Sequence, residues 1–347
     1  MQVRHLNVHL KRHRRPWQSF LEQQGITGFS PSEVEPITET FAWYDQHQMV
    51  ATGSLAGNVM KYIAIDPDYQ EGGSMFNQVV SYVVNQASQH GYFHLMVFTK
   101  PKYVKSFQYV GFTLLAQADH GAVLETGTPG IQDYLAKISR FSQSDHSIAG
   151  IVMNANPFTR GHLALIREAS QENDGVYVFV VQEEKSLFTF KERYQLVESG
   201  TADLKNVKVV PGGDYMVSSA TFPAYFLKDE NDVVHYQAQL DGLLFKKQIA
   251  SPLKINRRYL GSEPFSNTTE IYNQELSSVL PPDVEVKIVP RAQNNAGEII
   301  SATKVRKMIA TGQLDQLGEM VPGPTKQFIA RNVQTLQQRL DERKHQA

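Results

Sequence analysis

The second half of the chain alternates continuous apolar runs with segments whose apolar residues recur at helical spacing. A strand buried on both faces of a sheet reads as a continuous apolar run, and such runs occur at 148–153 and 176–181. Because strands alternate with helices, the pattern predicts an α/β fold with a doubly wound, Rossmann-like parallel sheet. The other predicted elements are strands at 207–211, 258–261 and 284–289, helices that open at Thr159 and Thr325, and helices at 191–200, 232–249 and 268–280.

The first 125 residues follow a different pattern, which predicts an α+β domain over 1–125. A junction over 126–146, rich in glycine and proline at its start, carries a predicted bridging helix at 131–141. The second domain is predicted to cover 147–347 and to end in a polar helix. The predicted elements of the first domain are a helix at 14–25, strands at 38–44, 49–56, 61–65 and 95–99, a helix after Gly72 and Gly73, a short helix through Val104 and Phe107, and a strand after Phe112.

The composition narrows the possible function classes. The chain has 347 residues, 41% hydrophobic and 20% charged, and its net charge of −1 gives no overall attraction for nucleic acid or an anionic membrane. No apolar run approaches membrane-spanning length, so we expect neither a nucleic-acid nor a membrane partner. The localisation that we expect is cytoplasmic. The absence of cysteine excludes disulfide bonds, a cysteine-ligated zinc site and a cysteine nucleophile.

The N-terminus is basic, but no apolar segment follows that would complete a secretion signal. This basic arm is either a solvated helix face or a site for an acidic partner. Its cations are Arg4, Lys11, Arg12, Arg14 and Arg15.

The stretch 151–162 (IVMNANPFTRGH) predicts a buried strand, a tight turn and a helix start. Thr159 and His162 lie at i and i+3, so their side chains share one face of the helix. The unpaired N–H groups of the first helical turn attract phosphate, and Gly161 lets a ligand approach the backbone closely. The alternative is a capped helix with a core histidine. Asn154 and Asn156 either contact the ligand or only shape the turn.

A second helix start lies at 300–306 (ISATKVR), with Ser301 as the N-cap and Lys304 and Arg306 early in the helix. Hydroxyl groups and fixed cations at a helix N-terminus suit the β- and γ-phosphates of a nucleotide. The alternative is an ordinary capped amphipathic helix. Both motifs together, about one domain apart, favour a nucleotide site.

With both motifs in place, residues 147–330 resemble the HxGH nucleotidyltransferase superfamily, whose signatures are (H/T)xGH and ISSTxIR. The sequence is similar over nearly its whole length to the citrate lyase ligase family. The stretches that carry this resemblance are 156–162 (NPFTRGH), 183–190 (EEKSLFTF), 261–273 (GSEPFSNTTEIYN) and 300–306 (ISATKVR).

The first domain resembles a GNAT-type acyltransferase. In that fold the loop before the long helix cradles the pyrophosphate of coenzyme A with its amides. The corresponding residues are Gln70, Gly72 and Gly73, although Glu71 and Met75 depart from the pattern. The loop therefore either keeps a site for a coenzyme-A-like arm or needs its glycines only for the turn.

The family resemblance implies an acid–thiol ligase. ATP and acetate would form acetyl-adenylate and pyrophosphate. The acetyl group would then pass to the thiol of a dephospho-coenzyme-A-type prosthetic group on the citrate lyase acyl carrier subunit, with AMP released. His162 and Thr159, with the amides near Phe158, would act at the α- or β-phosphate. Ser301, Thr303 and Arg306, with Lys304 less certain, would hold the departing pyrophosphate. Mg²⁺ would bridge the phosphates without a dedicated protein cage.

Four further residues have two possible roles each. Lys191 and Arg193 either reach phosphate or form a basic first turn that faces water. Asp241 either orients a substrate or faces solvent, and Glu263 either contacts ribose or metal or caps a helix. Two other functions are possible besides the ligase. One is an adenylyltransferase for a phosphorylated small molecule such as phosphopantetheine or nicotinamide mononucleotide, and the other is a non-enzymatic scaffold.

Overall fold

The structure is a computed structural model that describes residues 1–182, 186–216, 223–227, 230–262 and 267–344. It divides into two compact units. The first comprises Met1–Ala136 and Ser219–Gln248, and the second comprises Lys137–Ser218 and Ile249–Ala347. The sequence-based division at 125 and 147 did not include the return of the chain to the first unit after residue 218.

The first unit is built on a seven-stranded mixed sheet with the order β1-β2-β3-β4-β5-β7-β6. Only β4 and β5 run parallel, and they pair over just two residue pairs, Val59↔Met96 and Met60↔Val97. Its elements up to residue 136 are β1 (Gln2–His5), α1 (Lys11–Gln23), α2 (Pro31–Val34), β2 (Glu39–Asp45), β3 (Gln48–Ala56), β4 (Val59–Ile65), α3 (Ser74–Gln89), β5 (His94–Thr99), α4 (Val104–Tyr109), β6 (Thr113–Gln117), β7 (Ala122–Gly127) and α5 (Ile131–Ala136).

The second unit contains a five-stranded, entirely parallel sheet with the order β10-β9-β8-β11-β12. The remaining elements of the chain are β8 (Ile148–Met153), α6 (Arg160–Glu172), β9 (Gly175–Val180), α7 (Phe190–Gly200), β10 (Val207–Pro211), α8 (Glu230–Leu244), a π-helical continuation (Phe245–Ala250), α9 (Ser251–Leu253), β11 (Arg257–Gly261), α10 (Asn267–Val279), β12 (Glu285–Val289), α11 (Ala302–Thr311), α12 (Leu317–Met320) and α13 (Gly323–Lys344).

The direction of strand addition in this sheet reverses at β8. The chain adds β9 and β10 on one side of β8, then crosses to add β11 and β12 on the other. In open parallel sheets, ligands bind outside the carboxyl ends of the strands at such a reversal. The predicted fold class, an α+β domain followed by a doubly wound parallel sheet, is confirmed.

Helix α8 and residues 223–227 before it are part of the first unit. Tyr225 donates its hydroxyl hydrogen to the carbonyl of Phe98 (3.5 Å), and its ring lies 4.2 Å from that of Tyr62. Asp241, in α8, is 4% exposed, so the expectation that it faces solvent is wrong. None of the helices in the described part of the chain is long and apolar enough to cross a membrane.

Candidate functional site

The turn after β8 is held in an unusual backbone conformation by two asparagines. Ala155 has a φ of +50°, in the left-handed region that an alanine adopts only at a cost. The side-chain carbonyl of Asn156 accepts a hydrogen bond from the amide of Phe188 (3.1 Å), and the Asn154 amide contacts the hydroxyl of Ser186 (3.1 Å). Both side chains therefore shape the turn.

Arg193 supports the same turn from behind. Its side chain is fully buried, and Nη1 donates to the carbonyls of Asn154 (2.7 Å) and Val181 (2.7 Å) while Nε donates to that of Phe188 (3.1 Å). The prediction that Arg193 faces phosphate or water is therefore corrected, because its guanidinium group faces backbone carbonyls. Lys191, two residues earlier, is exposed.

Thr159 and His162 form a reciprocal cap at the start of α6. The threonine hydroxyl accepts from the His162 amide (3.3 Å), and His162 Nδ1 accepts from the Thr159 amide (3.1 Å). Because a backbone amide only donates, Nδ1 is unprotonated and the neutral ring carries its proton on Nε2. No described residue accepts a hydrogen bond from this Nε2–H group, which leaves it available to a ligand.

The imidazole of His162 is neutral at physiological pH. Burial, and secondarily the positive charge of Arg291, lower its pKa from 6.5 to about 4. The ring also stacks on that of the fully buried Phe158, with centroids 6.0 Å apart and an interplanar angle of 10°. His162 is thus a fixed, uncharged hydrogen-bond donor.

Helix α11 brings the second sequence motif to the same turn. Its N-cap is Ser301, whose hydroxyl accepts from the Lys304 amide (3.2 Å). Arg306 donates from Nη1 to the carbonyl of Asn156 (2.6 Å) and from Nη2 to the hydroxyl of Thr303 (3.0 Å). The two motifs, far apart in sequence, are therefore in direct contact.

Arg306 gives this contact a partly buried positive charge. Burial lowers its pKa, although the group stays protonated because a guanidinium pKa is so high. No carboxylate in the described part of the chain pairs with it, whereas Lys304 is paired with Glu298. Arg306 is therefore the better candidate for binding an anion, and Lys304 is the weaker one.

Gly161 is next to this contact. A Cβ atom added there would lie 3.5 Å from the carbonyl oxygen of Ile300 and 3.5 Å from the Thr159 hydroxyl, which are ordinary contact distances. The protein itself therefore has room for a side chain at this position.

Arg291 belongs to the site but was not identified from the sequence. It follows β12, and its Nε donates to the carbonyl of Ser262 (2.9 Å), which follows β11. Arg291 thus lies beyond the carboxyl end of β12, and its positive charge lowers the pKa of His162. A basic residue two positions after a parallel strand is the signal that could have found it.

The C-terminal helix α13 secures the segment that supports the turn. Arg339 pairs with Glu192 through both carboxylate oxygens (2.8 and 3.0 Å), and Glu192 accepts from the amide of Thr189 (2.8 Å) at the start of α7. Arg339 also donates to the carbonyl of Leu187 (3.3 Å). Residues 186–189, which hold Asn154 and Asn156, are thus fixed by α13.

The remaining predicted site residues lie elsewhere or outside the described part. Glu263 and residues 183–185 fall outside the described residues. In the first unit, Gly72 and Gly73 have φ values of +71° and +68° in open surroundings, while the Gln70 side chain donates to the carbonyl of Ile65 (2.8 Å). Within the described ranges, no group of three or more histidine, aspartate or glutamate side chains could hold a metal ion.

Comparisons with known proteins identify relatives over most of the chain. A family model described as the citrate lyase ligase C-terminal domain matches residues 148–329. The chain is 34% identical over 316 residues to the citrate (pro-3S)-lyase ligase of Klebsiella pneumoniae, which covers 89% of this chain and 90% of that protein. It is 33% identical over 321 residues to the ligase of the same name from Haemophilus influenzae, which covers 90% and 93%.

A shorter similarity extends to another class of enzyme. The phosphopantetheine adenylyltransferase of Corynebacterium diphtheriae is 28% identical over 152 residues, which covers 40% of this chain and 94% of that protein. The longer matches span both units, and the family model covers more than half of the residues. The chain therefore belongs to the citrate lyase ligase family.

Proposed function

We propose that this protein activates citrate lyase in an ATP-dependent reaction with acetate. ATP and acetate give acetyl-adenylate and pyrophosphate, and the acetyl group then passes to the thiol of a dephospho-coenzyme-A-type prosthetic group on the acyl carrier subunit, releasing AMP. The observation that carries the proposal is the pairing of a neutral His162 donor with the charge of Arg306 at the strand-order reversal. The relatives' names supply the class of substrate.

The phosphates of ATP bind where the two helix starts meet. Arg306 supplies positive charge with no competing carboxylate among the described residues, and Ser301 and Thr303 supply hydroxyl groups beside it. The first turn of α6 includes Gly161, and those of its amides that Thr159 does not cap donate to the same anion. In this arrangement pyrophosphate departs toward α11 and the α-phosphate lies near His162.

His162 stabilises charge that develops on the transferred phosphoryl group. Its Nε2–H group donates a hydrogen bond, and the Thr159 cap holds the ring so that no reorganisation is needed. Attack on an α-phosphate depends on alignment and charge neutralisation more than on covalent help from the protein. Loss of one preorganised donor of this kind typically lowers the rate by a factor of about 10²–10³.

Mg²⁺ fits this site as an ion that would bind together with ATP, through its phosphates. The described side chains form no carboxylate or histidine cluster, and Mg²⁺ commonly keeps its waters and binds through substrate phosphates. When bound, it would neutralise phosphate charge. Arg306 and Arg291 would orient the same phosphates from the protein side.

The acceptor thiol comes from the partner because the chain has no cysteine. We assign the pyrophosphate of the carrier's prosthetic group to the backbone amides around Gly72 and Gly73, where the left-handed glycines leave open space. Gln70 contributes by holding this loop through the carbonyl of Ile65.

The products of a single reaction test this proposal. Purified protein is mixed with ATP, acetate and the holo acyl carrier subunit, and nucleotides and thioester are quantified together. We expect one AMP for each acetylated carrier, and none when the carrier thiol is alkylated beforehand. Formation of ADP would contradict the mechanism. Transfer of AMP onto phosphopantetheine or nicotinamide mononucleotide would instead establish the adenylyltransferase alternative.

A further inference from the structure

The first turns of α1 concentrate positive charge in an arrangement that does not favour a helix. Lys11, Arg12, Arg14 and Arg15 all lie in its first five residues, and no Asp or Glu occurs in the chain before Glu22. A helix N-terminus carries partial positive charge and is stabilised by acidic residues, not basic ones. The N-cap, Leu10, makes no side-chain capping hydrogen bond, so the unpaired amides add to the positive charge.

The helix is held in place by its apolar face. Trp17, Phe20 and Leu21 are buried, and the Trp17 indole N–H donates to the hydroxyl of Thr52 in β3 (3.2 Å). Tertiary packing thus maintains a turn that its local charges oppose. Like charges at i,i+3 and i,i+4, as in Arg12–Arg15 and Lys11–Arg15, repel each other.

Three of these cations are exposed to solvent, and no described residue neutralises their charge. Lys11, Arg12 and Arg15 are exposed, and none of them makes a hydrogen bond or an ion pair with any described residue. Arg14 differs because it is half-buried and its charge acts on Tyr62. The uncompensated cluster therefore consists of Lys11, Arg12 and Arg15.

We propose that Lys11, Arg12 and Arg15 dock an acidic face of the protein that presents the acceptor thiol. This inference rests on the proposed function, in which the acceptor is carried by a protein. The cluster spans little more than one helical turn, and the chain from Glu22 onward has a net negative charge. That charge would repel an extended polyanion such as a nucleic acid or a membrane surface, whereas a compact acidic patch needs only the local cluster.

A charge-neutralised variant with a matched control tests the proposal. The test variant is Lys11→Gln/Arg12→Gln/Arg15→Gln. The control variant, Lys205→Gln/Lys254→Gln/Arg331→Gln, removes the same charge from three exposed positions of the second unit. Removing repulsion from α1 is not expected to lower its stability, and circular dichroism checks that both variants are folded.

Two assays separate this inference from the function on which it rests. The first is acetate-dependent exchange of pyrophosphate into ATP without carrier, which neither variant should change. The second is acetyl transfer to the holo acyl carrier subunit at several salt concentrations. We expect the test variant to raise the KM for carrier about tenfold or more at low salt and to flatten the salt dependence, since electrostatic steering is worth a factor of about 10–10³. The control should behave like the wild type.

The outcomes that overturn the proposal are distinct. A KM for carrier that is unchanged in the test variant, or raised equally in the control, would refute the docking surface. The proposal would also be refuted if the test variant lost binding to a DNA duplex or to phosphatidylserine vesicles while its KM for carrier stayed unchanged. That result would identify a different partner. Absence of exchange in the wild type would refute the proposed adenylation and not the docking surface.

Discussion

The neutral state of His162 leads to a prediction about its neighbour Arg291. Two causes lower the pKa of His162 to about 4, burial first and the charge of Arg291 second. Replacing Arg291 with Gln removes only the second cause. The pKa should therefore rise above 4 but stay below 6.5, because the ring remains buried.

The size of this effect follows from the displaced pKa. A shift from 6.5 to about 4 corresponds to about 3 kcal/mol in favour of the neutral ring. Between these two pH values the unfolded chain binds a proton that the folded protein does not, so this histidine lowers stability as pH falls from 6.5 to 4. Below pH 4 both states are protonated and the loss is complete. At pH 7 the ring is neutral in both states.

An NMR titration of labelled histidine measures the effect directly. The chain has 11 histidines, and the His162 signal is identified by its absence in the His162→Gln variant. A wild-type pKa of His162 near 6.5 would contradict this prediction, and so would a pKa that Arg291→Gln leaves unchanged or lowers. Addition of ATP should raise the pKa of His162, since phosphate favours the charged ring.

Four further variants test three separate parts of the structure. Gly161→Ala should leave the thermal midpoint unchanged, because the added Cβ makes only ordinary contacts. It should weaken ATP binding in calorimetry, because the Cβ occupies the side of the helix on which the ligand binds. Unchanged affinity for ATP would argue against phosphate at this position. Arg339→Gln should lower the free energy of unfolding by about 1 kcal/mol in a urea titration, since the pair of Arg339 with Glu192 is partly exposed. It should also lower kcat more than it raises the KM for ATP. A normal kcat would contradict the role of Arg339 in positioning the turn. Tyr236→Phe should leave the free energy of unfolding unchanged or raise it by up to about 1 kcal/mol, because the buried Tyr236 hydroxyl has no hydrogen-bond partner among the described residues. Tyr62→Phe should lower the free energy of unfolding by about 1 kcal/mol, because it loses the hydrogen bond to the carbonyl of Gly28 (2.7 Å). Equal effects of the two variants in urea titrations would contradict this prediction.

Elements with strong local patterns could be predicted from the sequence. Strand β9 is buried at every position, so its continuous apolar stretch identified it as a strand. The apolar residues of α3 recur at helical spacing after two glycines, so the start of this helix could also be predicted. The edge strand β1 was missed because its four residues (QVRH) are largely exposed and show no apolar alternation. Strand β7 was missed because its last residues, Thr126 and Gly127, resemble the start of a junction. The bridging helix is shorter than predicted and ends at Ala136.

Long-range packing could not be predicted from local patterns. The return of 219–248 to the first unit depends on contacts such as Tyr225 with Phe98 and Gln248 with the carbonyl of Leu115, which have no sequence signature. A usable signal existed for one site residue. Arg193 is buried together with Leu196 and Val197, at i, i+3 and i+4, so helical periodicity already assigns it to the buried face of α7.

The most direct test of adenylation at His162 is acetate-dependent exchange of labelled pyrophosphate into ATP, measured without carrier in three proteins. These are the wild type, His162→Ala and His146→Ala, a control that removes an exposed histidine at the opposite edge of the same sheet. We expect exchange only with acetate, normal exchange in His146→Ala, and exchange about 10²–10³ times slower in His162→Ala. Equal exchange in all three proteins, or exchange that needs a phosphorylated acceptor in place of acetate, would contradict this expectation.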